Sequence, residues 1–163
     1  MILIWMKATS LFKTPLGIAE ITGSEEGISS IRILDEDFPE SPEIPAVLLP
    51  AVQQLKAYFN GEIQEFNLKL NPEGTPFQKS VWNKLAQIPY GKTQSYLELS
   101  QKLGDVKAIR AVAAANGRNP LWIVVPCHRV IGSDGSLTGY AGGLWRKKWL
   151  LEHEFPPEQQ SLF

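Results

Sequence analysis

The chain has 163 residues, a formal net charge of −1, 44% hydrophobic and 20% charged residues, one cysteine and two histidines. A chain of this length buries roughly two-thirds of its unfolded surface, as one domain or two small ones. One cysteine forms no internal disulfide, and with two histidines it builds no four-ligand zinc site, so no metal is assigned and a reducing compartment fits. The apolar opening Met1-Ile2-Leu3-Ile4-Trp5-Met6 is too short and wrongly flanked for a signal peptide, and no run reaches the length of a membrane span. The expectation is a soluble, cytoplasmic protein with no membrane partner.

In chain order, residues 16–22 and 28–33 alternate with strand period, and Phe66-Asn67-Leu68-Lys69-Leu70 does so again. Between them Leu48, Val52, Leu55 and Phe59 recur at helical spacing, with Pro50 near the start and Gly61 as the stop. Residues 1–74 therefore read as a small sheet with one helix and no catalytic constellation. The run Asp35-Glu36-Asp37, close to Pro39 and Pro42, reads as a solvated loop rather than a metal site.

The second lobe opens on Thr75-Pro76-Phe77-Gln78: a capping threonine, a proline at the first helical position and a glutamine three residues on. Phe77, Val81, Leu85 and Ile88 form the apolar stripe of that helix. After Pro89-Tyr90-Gly91, Ser95 with Glu98 repeats the capping signature, and Leu99 and Leu103 carry the next helix to Gly104. Asp105 caps a third, alanine-rich helix over residues 107–115, ended by Gly117. Two short helices about a tight glycine-containing turn make a helix-turn-helix. Arg110 projects from its second helix, with Lys107, Arg118 and Asn119 at or just past the ends, an edge suited to phosphates and bases.

Charge divides along the same line. Residues 1–76 hold five basic and eleven acidic side chains, a net of −6, whereas residues 77–155 hold eleven basic and five acidic, a net of +6. A pair of helices serves packing as readily as binding, and a basic face is commonly just solvated; together the two features favour DNA as the partner.

The apolar run Leu121-Trp122-Ile123-Val124-Val125 reads as a short buried strand that delivers Pro126-Cys127-His128-Arg129-Val130 to a loop, ahead of the turn-rich Gly132-Ser133-Asp134-Gly135-Ser136. A cysteine beside a histidine on such a loop is the arrangement of an activated nucleophile. An unpaired cysteine after an apolar run also fits plain core filling, and the residues around it must decide.

Four motifs occur together and in order: Asn116-Gly117-Arg118-Asn119-Pro120, the Pro126-Cys127-His128-Arg129-Val130 segment, Thr138-Gly139-Tyr140-Ala141-Gly142-Gly143, and Trp149-Leu150-Leu151-Glu152-His153-Glu154. From about residue 77 to 154, ungapped at these motifs, the chain closely resembles the O6-alkylguanine-DNA alkyltransferases, also called methylated-DNA-protein-cysteine methyltransferases. The first lobe resembles, more loosely, the ribonuclease-H-like sheet that this family carries. The implied fold is α+β: a ribonuclease-H-like sheet-plus-helix lobe over residues 1–74, a mostly helical, winged-helix-like helix-turn-helix active domain over residues 75–155, and a polar tail over residues 156–163. Some members bind zinc in the first lobe; the ligands are lacking here.

The resemblance implies that Cys127 attacks the alkyl carbon on O6 of guanine, that His128 acts as base through a water, and that Glu154 orients the histidine. Asn119 holds the turn around the site, and Tyr96 donates to the base and helps turn the nucleotide outward. Tyr140, Ala141, Gly142, Trp122 and Val130 line the substrate pocket. Arg110 is the finger that fills the vacated stack, with Lys107, Ala111, Ala114, Arg118 and Arg129 against DNA. Some relatives carry a smaller residue at position 122, so Trp122 implies a narrow pocket that takes methyl readily and benzyl poorly. Ala113 and Ala114 stand where some members have glycine.

The implied activity is irreversible, single-turnover transfer of the alkyl group, mainly methyl, from O6-alkylguanine and also O4-methylthymine in double-stranded DNA to Cys127 of a monomer. A thioether is a very poor leaving group and no second cysteine exists to remove it. The DNA supplies the alkyl group, so no cofactor is expected. A helix-turn-helix regulator, or a non-catalytic protein that binds alkylated bases, leaves the Cys-His-Glu set unexplained; a cysteine hydrolase needs an oxyanion motif that the chain does not show.

Overall fold

A computed structural model describes residues 6–137, 139, 140 and 142–156. Thr138, Ala141 and, beyond Pro156, the polar tail anticipated from sequence lie outside the described residues. The fold is α+β. It separates into two compact units, one running to Glu73 and including Pro120–Trp122, the other comprising Gly74–Asn119 and the chain from Ile123 onward.

In the first unit β1 (Ala8–Thr14), β2 (Gly17–Ser24) and β3 (Gly27–Leu34) form an antiparallel sheet in the order β1-β2-β3, with Phe12 opposite Ala19 and Ile21 opposite Ile31. Helix α1 (Leu49–Phe59) packs against β1 and buries Ala51, Val52, Leu55 and Tyr58, one stripe at helical spacing. Strand β1 escapes the sequence reading because its buried face carries Ser10 beside Phe12, which hides the alternation. The acidic, proline-containing loop has a structural task. Ser41 exchanges hydrogen bonds with the Leu11 main chain, and the Glu40 carboxylate accepts from Lys13 N–H at 3.2 Å, so the free edge of β1 is covered.

Two expected strands are corrected. Residues 66–70 make no ladder: only Leu70 bridges Ile28, through Ile28 N–H to Lys69 O and Asn71 N–H to Ile28 O. The Asn67 main chain is taken up instead by the Gln54 side chain. In residues 121–125 only Leu121 bridges β3, opposite Ile31; the chain then turns through residues 122–124. Ile123 has φ of 70°, the left-handed region that a β-branched side chain disfavours, and this turn opens the approach to Pro126 and Cys127.

In the second unit both capping boxes form. Thr75 starts α2 (Pro76–Leu85) and Ser95 starts α3 (Tyr96–Lys102), each hydroxyl accepting from the N3 backbone while Gln78 or Glu98 reaches back. Gly74 is required ahead of α2, since a Cβ there would lie 2.5 Å from the Trp82 ring. The third helix is shorter than anticipated. Asp105 caps a 3-10 turn (Val106–Ala108), and α4 (Ile109–Gly117) follows. Trp82 donates its buried indole N–H to Ala115 O at 2.9 Å, which seats α2 on α4. A short parallel pair, β4 (Gln94–Ser95) with β5 (Val130–Ile131), ties the start of α3 to the segment after the cysteine, and α5 (Leu144–Glu154) closes the unit.

Because Ser95 is both the cap of α3 and the partner of Ile131, Ser95→Ala is expected to cost about 1 kcal/mol in urea unfolding with an unchanged slope. An unaltered midpoint would show that this box carries no stability.

Candidate active site

Cys127 opens a 3-10 turn (Cys127–Arg129) that leads into β5, and the whole turn is buried. Cys127 N–H bonds Val125 O at 2.8 Å, and Asn119 Nδ2 donates to the same carbonyl at 2.6 Å, so the turn into Cys127 is fixed from two sides. The thiol is 7% exposed. Burial pushes it above its ordinary pKa, while hydrogen bonding by Asn119 and the charge of Lys147 oppose that rise.

His128 is fully buried, with Nε2 2.7 Å from Glu154 Oε2. Burial holds the imidazole below its ordinary pKa against the pull of the carboxylate, so at neutral pH the ring is neutral. Burial would raise Glu154 as well, but hydrogen bonds and charge from His128 and Arg129 hold it well below the usual carboxylate range. An ionised carboxylate only accepts, which puts the imidazole proton on Nε2 and leaves the Nδ1 lone pair open. That atom is buried and has no hydrogen-bond partner in the structure. A neutral imidazole with its proton fixed at one nitrogen and its basic nitrogen free is the form a general base requires.

Arg129 corrects an expectation. It is 6% exposed, not offered to DNA, because Nε and Nη2 donate to the two Glu154 oxygens at 2.7 and 3.0 Å and Nη1 donates to Ile88 O at 2.7 Å. Its neighbours on the supposed DNA edge fare differently. Lys107, Arg110, Ala111, Ala114 and Arg118 are all exposed, at the spacing of one helix face running along α4 and its flanking turns. Next to that face Ile109, Arg110, Ala113 and Gly117 join Tyr96, Gly139 and Tyr140 around a cavity of about 610 Å³, within the range of small-molecule sites.

Val130 is fully buried in β5, and Gly142 is half-buried beside the cavity's Tyr140. Ala141 lies outside the described residues. Trp122 does not line the cavity. It belongs to the first unit, where its ring lies 6.0 Å from that of Phe59 and its N–H bonds Ile31 O. Packing on Phe59 accounts for a large ring at this position, and the narrow pocket has no support from it.

The sequence reading missed Lys147. It is 0% exposed, and its ammonium and the Cys127 thiol interact, each opposing the shift that burial imposes on the other. Lys147 and Glu154 are seven residues apart, two turns of α5, so one helix face sends a cation toward Cys127 and an anion toward His128. The available signal was the run Arg146-Lys147-Lys148 at the start of a helix, where positive charge opposes the backbone dipole.

A helix-turn-helix whose second helix fronts a cavity of this size, with a buried cysteine, histidine and carboxylate in the same unit, is the build of a DNA-directed protein with a cysteine nucleophile. Comparison with known proteins narrows the class. Residues 76–155 match the family description "6-O-methylguanine DNA methyltransferase, DNA binding domain", and residues 8–72 match its "ribonuclease-like domain". The chain belongs to the 6-O-methylguanine DNA methyltransferase family. The methylated-DNA-protein-cysteine methyltransferase of Methanosarcina acetivorans is 48% identical over 150 residues, covering 89% of this chain and 96% of that one. The one from Mycolicibacterium paratuberculosis is 45% identical over 156 residues, 92% and 94% of the two chains. Among solved structures, Mycobacterium tuberculosis O6-methylguanine methyltransferase aligns with a TM-score of 0.82 at 42% identity, over 97% of this chain and 99% of that one. Mycobacterium tuberculosis OGT in complex with DNA aligns with a TM-score of 0.80 at 44% identity, over 88% and 90%.

Two predictions follow from the electrostatics. Replacing Lys147 by Met removes the charge that opposes burial of the thiol, so alkylation of Cys127 by iodoacetamide at pH 7 is expected to slow about tenfold; an unchanged rate would exclude the coupling. Both His128 and Glu154 bind protons more readily unfolded than folded. Their contribution is fully present above the unfolded values, near pH 6.5 and pH 4.5, and is lost as pH falls from each of these toward the lower folded value. The thermal midpoint should therefore fall from pH 7 to pH 5, and fall less in His128→Gln; parallel curves would contradict a neutral buried His128.

Proposed function

We propose that this chain repairs alkylated DNA by transferring the O6-methyl group of guanine, in duplex DNA, irreversibly to its own Cys127. The observation that carries the reading is the buried relay of Cys127, His128 and Glu154, in which a neutral imidazole presents an unpartnered Nδ1. The family membership and the names of its relatives supply the substrate.

The proton of Cys127 Sγ passes through a water to His128 Nδ1, and Glu154 stabilises the imidazolium that results. The Sγ lone pair forms a bond to the methyl carbon as the carbon–O6 bond breaks, and the electron pair leaves on the guanine as an anion. Tyr96, on the cavity wall, donates a hydrogen bond to the base as that charge develops. Tyr140 walls the base, with Gly142 close by and Val130 in the buried strand β5. Asn119 holds the turn through Val125 O.

The exposed face of α4 meets the duplex, Lys107 and Arg118 by charge and Ala111 and Ala114 by letting the backbone approach. Arg110 enters the stack left by the extruded nucleotide, offsetting an unstacking cost of a few kcal/mol. O4-methylthymine presents a comparable methyl ether and falls within the same chemistry. The product thioether is stable and the chain has no second thiol, so each molecule reacts once, as a monomer. No helix among the described residues is long and apolar enough to cross a membrane, and the reaction is assigned to the cytoplasm.

Mixing the protein with duplex DNA that carries one O6-methylguanine should add one methyl group to the Cys127 peptide and stop at one equivalent. Cys127→Ala should keep lesion binding and lose transfer, and His128→Gln should slow transfer at least about a hundredfold. An unchanged mass with tight lesion binding would make the chain a damage-recognition protein with an idle thiol.

A further inference from the structure

Helix α5 begins against its own electrostatics. Its N-cap is Gly143, no side chain caps it, no acid stands in its first turn, and Arg146, Lys147 and Lys148 follow one another at its positive end. Cations there are unfavourable unless each has a separate task. Lys148 lies 3.9 Å from Glu152 on the surface, and Lys147 is the buried partner of the thiol. Arg146 remains to be explained, and it is not a surface side chain, being 5% exposed.

Its guanidinium turns back toward the helix start. Nη1 donates to Gly142 O at 2.9 Å, while Cζ lies 4.6 Å from the centre of the Trp145 ring. Trp145 is 58% exposed, and its ring edge borders the position that a Cβ on Gly143 would take. Gly143 itself has φ of 91° and donates its N–H to Tyr140 O at 2.9 Å. Two carbonyls ahead of the helix are thus held, Tyr140 O by a backbone bond and Gly142 O by a charged side chain that is stacked in place. Tyr140 and Gly139 form one wall of the cavity whose other wall is α4.

We propose that Arg146, stacked on Trp145, is a positioning residue that fixes Gly142 and Gly143, and with them Tyr140, at the wall of the base cavity, so that it governs capture of the damaged base and not bond-making at Cys127. This inference rests on the function proposed above, and it uses a pair of residues outside the nucleophile relay. A charge-assisted bond and a cation–π contact each hold a group that is otherwise free to sample other rotamers and turns. Removing them leaves the bonds of Glu154 to His128 and Arg129, at the other end of α5, in place.

The test is single-turnover methyl transfer from O6-methylguanine duplex across a range of DNA concentrations, with hydrogen exchange of the loop peptide measured on the same proteins. For Arg146→Ala the half-saturating DNA concentration should rise about tenfold with the maximal transfer rate within about twofold of the parent, and loop amides should exchange faster. Trp145→Ala, an exposed change that spares the fold, should reproduce the shift in part, and Trp145→Phe, which keeps an aromatic face, should restore it. An unchanged half-saturation, or a lost maximal rate with unchanged half-saturation, would overturn the proposal. If the parent protein transfers no methyl group, the proposed function fails instead; loop exchange unaffected in Arg146→Ala would then reject the clamp on its own.

Discussion

The structure of the second unit turns on one carboxylate. Glu154, at the last residue of α5, accepts from His128 and from two nitrogens of Arg129, and Arg129 in turn reaches Ile88 O just beyond α2. Three segments distant in sequence thus meet at a single buried charge. Such a charge is tolerated only when every oxygen is satisfied; removing one partner of a buried pair costs roughly 3–5 kcal/mol because the other is left uncompensated. The same cluster extends to Tyr90, whose ring lies under Arg129 and whose hydroxyl donates to His153 O. The geometry that orients the imidazole is therefore the geometry that closes the end of the helix onto the body of the unit.

Placing the anion at the C-terminal end of α5 and the cations at its start runs against the helix dipole at both ends. Local stability would favour the reverse. The conflict disappears once each charge is read by what it faces: Glu154 the imidazole, Lys147 the thiol, Arg146 the loop carbonyl. Local rules broken in a concentrated stretch, with specific partners for each violation, are the mark of a segment shaped by its site.

Legibility from sequence followed the range of the interactions. Capping boxes at Thr75 and Ser95, the stripe of α1 and the helix pair depend on residues three to seven apart, and each was readable. Strand β1 was not, because its buried Ser10 breaks the apolar pattern, and the apolar run after Pro120 was misread because hydrophobicity alone does not say whether a neighbour is there to pair with. Among site residues, the motif order pointed to Cys127, His128 and Glu154. It could not show that Arg129 is consumed by Glu154, that Trp122 packs on Phe59, or that Lys147 is buried, since each depends on contacts far along the chain. A basic residue beside a reactive cysteine looks like a DNA contact until its exposure is known.

Burial of the Cys127 thiol gains its meaning from the single use proposed for it. A protein that reacts once is spent by any adventitious alkylating agent, so an exposed, fully ionised thiolate would be a liability. Here the thiol is nearly covered and burial disfavours its charge, while a neutral imidazole and a buried ammonium stand ready to support it. The opposing effects on Cys127 are thus complementary: one keeps the thiol dormant in the free protein, and the other lowers the cost of waking it.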